Sequence, residues 1–401
     1  MAGLLCAWHL TRAGVDCVLV EADRLCGGIT KNTTAKITAQ HGLIYHKLIR
    51  MFGAEKAGLY LQANQWAVEQ YRELCGSIQC DFEEQDSYVY SRVGTRNLEK
   101  EMDALSQLRY KAHYLDRMSL PFPVAGGVCF KHQGQFHPLK FAAAISEKLR
   151  VFEHTKVTEL APGRAKTNGG TILADKMIIA THFPILNKHG GYFLKLYQHR
   201  SYVLGLKGVP GVDGMYVEEG ETGLSFRSYG DLLLMGGGGH RTGKQIGSWR
   251  KLELFAGEYF PGARVEAKWA TQDCMTLDGV PYIGQYAENT PNLYVATGFN
   301  KWGMTSSMVA GMILCDLIQG KKNPWAEVFT PSRTSLRVQL AVNAVESVRN
   351  LLTPTTPRCP HMGCALKYNP EEHSWDCPCH GSRFTADGKL IDNPATDDKR
   401  M

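Results

Sequence analysis

The first twenty residues change from a helical to a strand-like spacing of apolar side chains. Residues 2–13 carry apolar residues along one helix face, and Gly14 follows them, which predicts a helix that ends there. Residues 15–21 are a mostly apolar run that ends on Glu21, which predicts a buried strand with an acid at its end. The chain therefore opens with a helix, a glycine and a strand, as an α/β layer requires.

Two later parts of the chain continue this pattern. Residues 155–157 and 175–181 predict two strands, of which the second is apolar and ends in small residues. Residues 291–298 predict a strand that runs into a turn, and residues 306–314 are small and apolar at helical spacing. The body of the chain is thus predicted to be α/β, with two helix N-termini directed at one crevice.

The first helix and strand have the form of the second half of a Rossmann βαβ unit. In that unit the carboxylate at the strand end accepts hydrogen bonds from ribose hydroxyls, and the helix N-terminus faces a pyrophosphate. Glu21 lies 18 residues after Gly3, close to the interval that the unit uses. Gly3 is then the third glycine of G-x-G-x-x-G, so a first strand and two glycines would have to precede Met1. We expect this part of the site to be truncated.

Composition and charge narrow the class of protein. The 401 residues are enough for two or three domains, and 44% hydrophobic with 21% charged residues indicates a folded globular chain. No apolar run reaches the roughly 18 residues of a membrane span, and the start does not resemble a signal peptide. We therefore expect a cytoplasmic protein without an integral membrane segment. The net charge of +6 is spread out, so no nucleic-acid partner is expected.

Cysteines are concentrated near the C-terminal end. Eight of the twelve are scattered through residues 1–358 without ligand spacing and are predicted to be buried small residues, whereas four lie in the last 43 residues. Two short boxes in this C-terminal segment each offer one thiolate and one imidazole: Cys359 with His361, and Cys377 with His380. Zinc and iron–sulfur clusters both accept such a set. The extra Cys364 and Cys379 favour an iron–sulfur cluster over the alternative of a zinc knuckle.

This pattern resembles the Rieske family, in which two cysteines hold one iron and two histidines hold the other iron of a 2Fe-2S cluster. The resemblance implies that Cys359 and Cys377 bind the inner iron. It also implies that His361 and His380 bind the outer, solvent-facing iron.

The same resemblance assigns roles to four neighbouring residues. Cys364 and Cys379 match a pair that forms a disulfide in high-potential members of the family. Ser382 matches a serine whose hydroxyl raises the cluster potential, and Phe384 stands where those members have a tyrosine. We therefore expect a potential below that of the respiratory proteins.

The segment before the first box does not look like the base of a Rieske domain. Residues 333–352 carry apolar residues at helical spacing, which predicts a linker helix rather than strands. The cluster-binding segment is then residues 353–401, a small all-β tail that begins in a Pro-rich stretch. We expect the basal sheet of the Rieske domain to be missing.

Residues 1–332 resemble the FAD-dependent oxidoreductases of the D-amino-acid oxidase and glycine oxidase type. The resemblance rests on the helix–strand–Glu21 unit, the stretch 33–36, the segment 134–138 and the loop 298–304. It implies that the loop covers the flavin and that FAD is bound by Gly3, Glu21, Arg24, Gly28, Lys36, Val157, Ala180, Thr181, Gly298, Trp302, Gly303 and Met304.

The resemblance also implies the domain organisation. We expect an α/β fold (α+β overall) in which a Rossmann-like FAD-binding domain is interleaved with an antiparallel-sheet substrate domain. The FAD-binding parts are predicted at about 1–45, 130–190 and 270–332, and the substrate domain at about 46–129 and 191–269.

Other motifs are weaker. Gly236–Gly243 before Lys244 resembles a phosphate loop, but Gln245 replaces the Ser or Thr that binds magnesium, so a turn after a strand is the better interpretation. Arg200, Tyr202 and Arg241 lie on predicted substrate-domain strands, where Arg200 is a candidate partner for a substrate carboxylate. His41 and His46 are more typical of surface or core histidines than of catalytic ones.

The two resemblances together predict an FAD-dependent oxidoreductase that oxidises an amine or amino-acid-like small molecule, or runs in reverse as a reductase. Flavin takes two electrons as a hydride and can release them singly, whereas a 2Fe-2S cluster takes one at a time. The predicted route is therefore substrate to flavin to cluster, and then to an unknown electron acceptor or donor through His361 or His380. No catalytic residue is identified. The alternatives are a redox sensor or electron-transfer protein without turnover, and an incomplete, non-functional chain.

Overall fold

The structure is a computed structural model that describes residues 1–186, 189–220, 223–244, 249–333 and 357–399. The predicted linker helix at 333–352 lies outside these residues except for Arg333. No helix in the described ranges is long and apolar enough to cross a membrane.

Eight α-helices lie in the described part of the chain. They are α1 (Ala2–Arg12), α2 (Tyr45–Cys75, bent at Gly53), α3 (Arg96–Gln107), α4 (Pro138–Ser146), α5 (Tyr192–Lys195), α6 (Trp249–Tyr259), α7 (Gly303–Ile318) and α8 (Ala326–Phe329), with a 3-10 turn at Ile29–Asn32. The predicted first helix and the small-residue helix are confirmed as α1 and α7. The two pack closely, because a Cβ on Gly311 would lie 3.0 Å from the Leu5 carbonyl oxygen.

Short parallel strands lie beside these two helices. They are β1 (Leu19–Val20) paired with β6 (Val151–Phe152), and β10 (Met177–Ile179) paired with β17 (Leu293–Thr297), which also pairs antiparallel with β16 (Tyr282–Gln285). The prediction that residues 15–21 form a buried strand is wrong. Only Leu19 and Val20 are extended in a ladder and Val18 is 40% exposed, because β1 has a strand partner on one edge and a large cavity on the other.

A sheet of nine strands forms the second layer of the body. Its strands are β2 (Lys36–Ile37), β3 (Glu83–Ser91), β4 (His113–Leu115), β5 (Gly126–Gln135), β11 (Leu196–Lys207), β12 (Met215–Glu218), β13 (Ser225–Tyr229), β14 (Leu232–Arg241) and β15 (Arg264–Thr276). The order is β15-β11-β14-β13-β12-β3-β5-β2, with β4 beside β5, and most neighbours are antiparallel. A separate antiparallel sheet contains β7 (Val157–Ala161), β8 (Arg164–Thr167) and β9 (Gly170–Leu173).

The C-terminal segment is a small antiparallel meander. Its strands are β18 (Lys367–Asn369), β19 (Ser374–Asp376), β20 (Arg383–Thr385) and β21 (Leu390–Asp392), paired in chain order. Buried Cys359, Cys364, Cys377, Cys379 and Phe384 form its core. The predicted all-β tail is confirmed over the described residues.

Candidate flavin cavity and cluster site

A cavity of about 2060 Å³ lies between the Rossmann-like part and the nine-stranded sheet. The N-terminal ends of α1 and α7 both line it, as the sequence predicted. Helix N-termini offer unpaired N–H groups and a positive dipole end, which suit the phosphates and the reduced ring of a flavin nucleotide.

The structure brings most of the predicted FAD residues to this cavity. Those that line it are Gly3, Glu21, Gly28, Lys36, Val157, Ala180, Thr181, Gly298, Trp302, Gly303 and Met304. Arg24 is the exception, because its exposed side chain lies outside the lining. A Cβ on Gly3 would lie 3.1 Å from the Leu19 side chain, so the glycine allows α1 to pack tightly against β1. The residues present fit an extended dinucleotide.

The loop 298–304 is held against β15 by one side chain. Asn300 accepts a hydrogen bond from the Thr276 N–H (2.7 Å) and donates one to the Gly298 carbonyl (2.7 Å). Gly298, Asn300 and Lys301 all have φ between +50° and +74°, a conformation that costs non-glycine residues energy. The loop is therefore fixed in one shape over the cavity.

His41 and His46, two of the histidines that line the cavity, have structural partners. His41 stacks on Trp302 at 5.0 Å between ring centroids and exchanges hydrogen bonds with Tyr60 (2.6 Å) and Thr305 (2.9 Å). Burial lowers the pKa of His41 to about 3, so the ring is neutral at pH 7. His46 pairs with the buried Glu101 at 2.7 Å.

The nine-stranded sheet presents alternate residues to its two faces. Tyr197, His199, Ser201, Asp273 and Met275 line the cavity. Gln198, Arg200 and Gln272, which alternate with them, are buried and lie outside the lining of the cavity. Arg200 pairs with Glu372 in the C-terminal segment, through Nε to Oε1 at 2.9 Å and a second bond from Nη2 to Oε2. The interpretation of Arg200 as a substrate-carboxylate ligand is therefore wrong, because the strand period of two turns it away from the cavity.

The predicted cluster residues come together at one end of the C-terminal segment. Cys359, Cys377 and His380 are at most 2% exposed, and the rings of His361 and His380 are 5.0 Å apart and nearly perpendicular. Burial lowers the pKa of His361 to about 4 and of His380 to about 3, which leaves both imidazoles neutral. Both ring nitrogens of His380 are buried, and neither makes a hydrogen bond of normal geometry with a described residue. A buried neutral imidazole of that kind fits a metal ligand.

The neighbouring residues also fit the cluster. Cys364, Cys377 and Cys379 have sulfur atoms within 4.8 Å of one another. All are free thiols, so the Cys364–Cys379 disulfide stays a prediction. Ser382 is fully buried, and its hydroxyl accepts the Ala395 N–H at 2.9 Å while it also bonds the Cys359 thiol.

The side of the cluster site that carries His361 and His380, here called the histidine edge, faces the body of the protein. His380 is 1% exposed and its ring lies 6.4 Å from that of Phe183 and 6.1 Å from that of Phe193. The prediction that His380 lies at a solvent-facing edge is therefore wrong for this arrangement. No sequence pattern within the boxes indicates which surface will cover their loops.

Backbone contacts complete the docking of the C-terminal segment. Gln272 donates to the Gly381 carbonyl at 2.9 Å, and Arg241 donates to the Cys379 carbonyl at 3.2 Å. Asn393 donates to the carbonyls of Thr181 and Phe183. Gly243, at the end of the rejected phosphate-loop motif, lies so close to Pro378 that a Cβ would be 2.7 Å from its nitrogen. Gly243 therefore allows the C-terminal segment to pack closely against the body of the protein.

Comparison with known families agrees with this geometry. Residues 1–317 match the family of FAD dependent oxidoreductases. The chain belongs to this family. Residues 332–400 match the Rieske [2Fe-2S] domain, so this FAD-dependent oxidoreductase has a C-terminal 2Fe-2S cluster domain. Both cofactor predictions are confirmed.

Individual relatives share one or both parts. The Putative Rieske 2Fe-2S iron-sulfur protein YhfW of Bacillus subtilis (strain 168) is 31% identical over 458 residues, which cover 98% of this chain and 90% of the relative. Glycine oxidase from Geobacillus kaustophilus has a TM-score of 0.68 at 19% identity, over 83% of this chain and 96% of its own. L-proline dehydrogenase from P. horikoshii has a TM-score of 0.69 at 15% identity, over 83% and 94%. These two structures share the fold of the oxidoreductase body.

Sequence reasoning missed two charged residues, Asp273 and Glu372. Asp273 lines the cavity from β15, and Glu372 anchors the cluster domain. Neither belongs to a motif. Only the alternation along β15 could have indicated that Asp273 shares a face with Thr271 and Met275.

Replacement of Ser382 by alanine should lower the potential of the cluster. Loss of one hydrogen bond to a charged group changes a free energy by about 1.5 kcal/mol, which for a one-electron couple is about 60 mV. Electron paramagnetic resonance during a redox titration measures it. Thr385→Ala, at the half-buried end of β20, is the control and should leave the potential unchanged. An unaltered potential in Ser382→Ala would contradict the role of the hydroxyl.

Proposed function

We propose that the protein oxidises an amine or amino-acid-like molecule in the FAD cavity and passes the electrons to the Rieske cluster of the same chain. Bound FAD supplies a two-electron acceptor, and the cluster supplies a one-electron relay. The observation that supports this direction is the position of His380, whose ring is buried against the body rather than turned to solvent.

A short piece of backbone separates the histidine edge from the cavity. Phe183 lies next to the rings of both His361 and His380, at 6.4 Å from each. Thr181 and His182, directly before Phe183, line the cavity. Thr297, in the strand that leads to the loop 298–304, donates a hydrogen bond to the His182 carbonyl. These contacts support a path for electrons from the cavity to the cluster through residues 181–183.

The chemistry of the cavity supports an amine as the substrate. Oxidation at a carbon next to nitrogen needs orientation toward the flavin more than acid–base groups, and the loop 298–304 together with the sheet face provides a rigid surface for it. The fold is shared with proteins named glycine oxidase and L-proline dehydrogenase, and both names specify an amino acid.

Anaerobic mixing of the purified full-length protein with glycine, sarcosine or L-proline tests the proposal. We expect one of these amines to bleach the flavin absorption and then to produce the signal of a reduced 2Fe-2S cluster, recorded by electron paramagnetic resonance after rapid freezing. Cys377→Ser, which removes a ligand of the cluster, should bleach the flavin and give no cluster signal. A bleached flavin beside a cluster that stays oxidised contradicts transfer within the chain. A flavin that no amine reduces contradicts the substrate class.

A further inference from the structure

The side chain of Asp273 is half-buried and lines the FAD cavity. Asp273 lies on β15 opposite His199 of β11, and both side chains line the cavity. Among the residues that the structure describes, none donates a hydrogen bond to this carboxylate. A desolvated carboxylate without a donor is costly unless it serves a ligand.

The charges around Asp273 come from two elements. Lys301, on the loop 298–304, and Arg200, on β11, both act on the carboxylate electrostatically. Arg200 is fully engaged with Glu372 on the other side of the sheet. His199 is neutral, because burial lowers its pKa to about 3. Burial outweighs the two cations and raises the pKa of Asp273 to about 6.

We propose that Asp273 binds the cationic nitrogen of the substrate and takes its proton before oxidation. The cavity then selects primary and secondary amines, and it rejects molecules that offer only a carboxylate at this position. This inference rests on the proposed function and names the group that recognises the amine.

The proton and electron count is balanced. An N–H bond of the substrate ammonium breaks and an O–H bond forms on Asp273, without any change in oxidation state. The neutral amine would then give up hydride from the neighbouring carbon, for which bound FAD would supply the two-electron acceptor. The nitrogen lone pair, freed by the first step, stabilises the cation left on carbon.

Binding of two matched ring compounds to the FAD-loaded full-length protein tests the site by calorimetry. Pyrrolidine is a cation and cyclopentanecarboxylate is an anion of the same ring size. We expect pyrrolidine to bind more tightly than cyclopentanecarboxylate. Its affinity should rise about tenfold from pH 5 to pH 8, because the carboxylate ionises around pH 6. Tighter binding of cyclopentanecarboxylate overturns the proposal without any variant.

Asp273→Asn should bind pyrrolidine at least about tenfold more weakly at pH 8 and should lose the pH dependence. Glu266→Gln, an exposed carboxylate on the same strand, is the control and should bind like wild type. The melting temperature of Asp273→Asn at pH 8 should equal or exceed that of wild type. A carboxyl whose folded pKa lies above its unfolded value loses stability as pH rises from about 4 to 6, and the amide removes that loss.

The proposed function and the role of Asp273 can be contradicted independently of each other. If pyrrolidine binding depends on Asp273 but no amine reduces the flavin, the proposed function is wrong. Asp273 would still be the group that binds the cationic nitrogen. Amine-driven flavin reduction that is equally fast in wild type and Asp273→Asn overturns only the role of Asp273.

Discussion

Replacement of Glu372 by glutamine should loosen the cluster domain from the nine-stranded sheet and slow electron transfer from flavin to cluster. Glu372 is bound bidentately by Arg200, and its Oε2 also accepts from Arg383 Nη2 at 2.8 Å. The side chains of Arg200, Glu372 and Arg383 are at most 9% exposed. Removal of one member of a buried ion pair costs about 3–5 kcal/mol, because the remaining charges lose their partner while they stay buried.

Denaturant unfolding, monitored by the visible circular dichroism of the cluster, measures the lost free energy of unfolding. Rapid mixing measures the rate of electron transfer from flavin to cluster. The control is Glu371→Gln, an exposed neighbour on the same turn, which should change neither. Combining Arg200→Gln with Glu372→Gln should cost less than the sum of the two single changes, because both remove the same interaction. Full additivity would contradict the pairing.

The same ion pair predicts a pH dependence of docking. Burial alone would raise the pKa of Glu372, but hydrogen bonds from Arg200 and the charges of Arg200 and Arg383 outweigh it and hold the pKa below its ordinary value. A depressed carboxyl pKa contributes stability above the unfolded pKa, near 4.3, and loses it as pH falls through the folded value. Docking should therefore persist at neutral pH and weaken in acid below about pH 4.

Gly381→Ala should separate the second cluster loop from the body. Gly381 has φ of +86°, and a Cβ at this position would lie 2.3 Å from Cβ and Cγ of Gln198. The left-handed backbone costs about 1–2 kcal/mol for alanine, and overpacking adds about 1–3 kcal/mol. We expect the Gln272–Gly381 hydrogen bond to break and the transfer rate to fall.

A matched variant distinguishes the strain of a left-handed backbone from the loss of the contact between Gly381 and Gln198. Gly320→Ala, at the end of α7, has φ of +73° and no atom within 4 Å of the added Cβ. Gly320→Ala should lose only the free energy of unfolding that the left-handed backbone costs alanine. The rate of electron transfer from flavin to cluster should stay unchanged. If both variants lose the same free energy of unfolding and transfer electrons at the wild-type rate, the loop does not depend on its contact with Gln198.

The local features of this protein could be predicted from the sequence because each depends on residues that lie close together along the chain. Two residues between Cys377 and His380 are enough to direct both side chains at one centre, and the apolar period of residues 2–12 is enough to form α1. The loop 298–304 could be assigned because a strand, a turn and a helix follow one another without interruption. Strand burial was harder, and residues 15–21 were predicted wrongly because burial depends on what lies on both edges of a strand.

The sequence by itself determined the α/β body, most of the predicted residues that line the cavity and the spacing of the two cysteine–histidine boxes. Tertiary structure decided which way these elements face. The register of β11 against β15 pairs Arg200 with Gln272 and His199 with Asp273. Arg200 and Asp273 therefore lie on opposite faces of the sheet, so one holds the cluster domain and the other meets the cavity. The burial of His380 against Phe183 likewise depends on contacts between residues about two hundred positions apart. No local spacing encodes such contacts, because they arise only when the whole sheet and the small domain have formed.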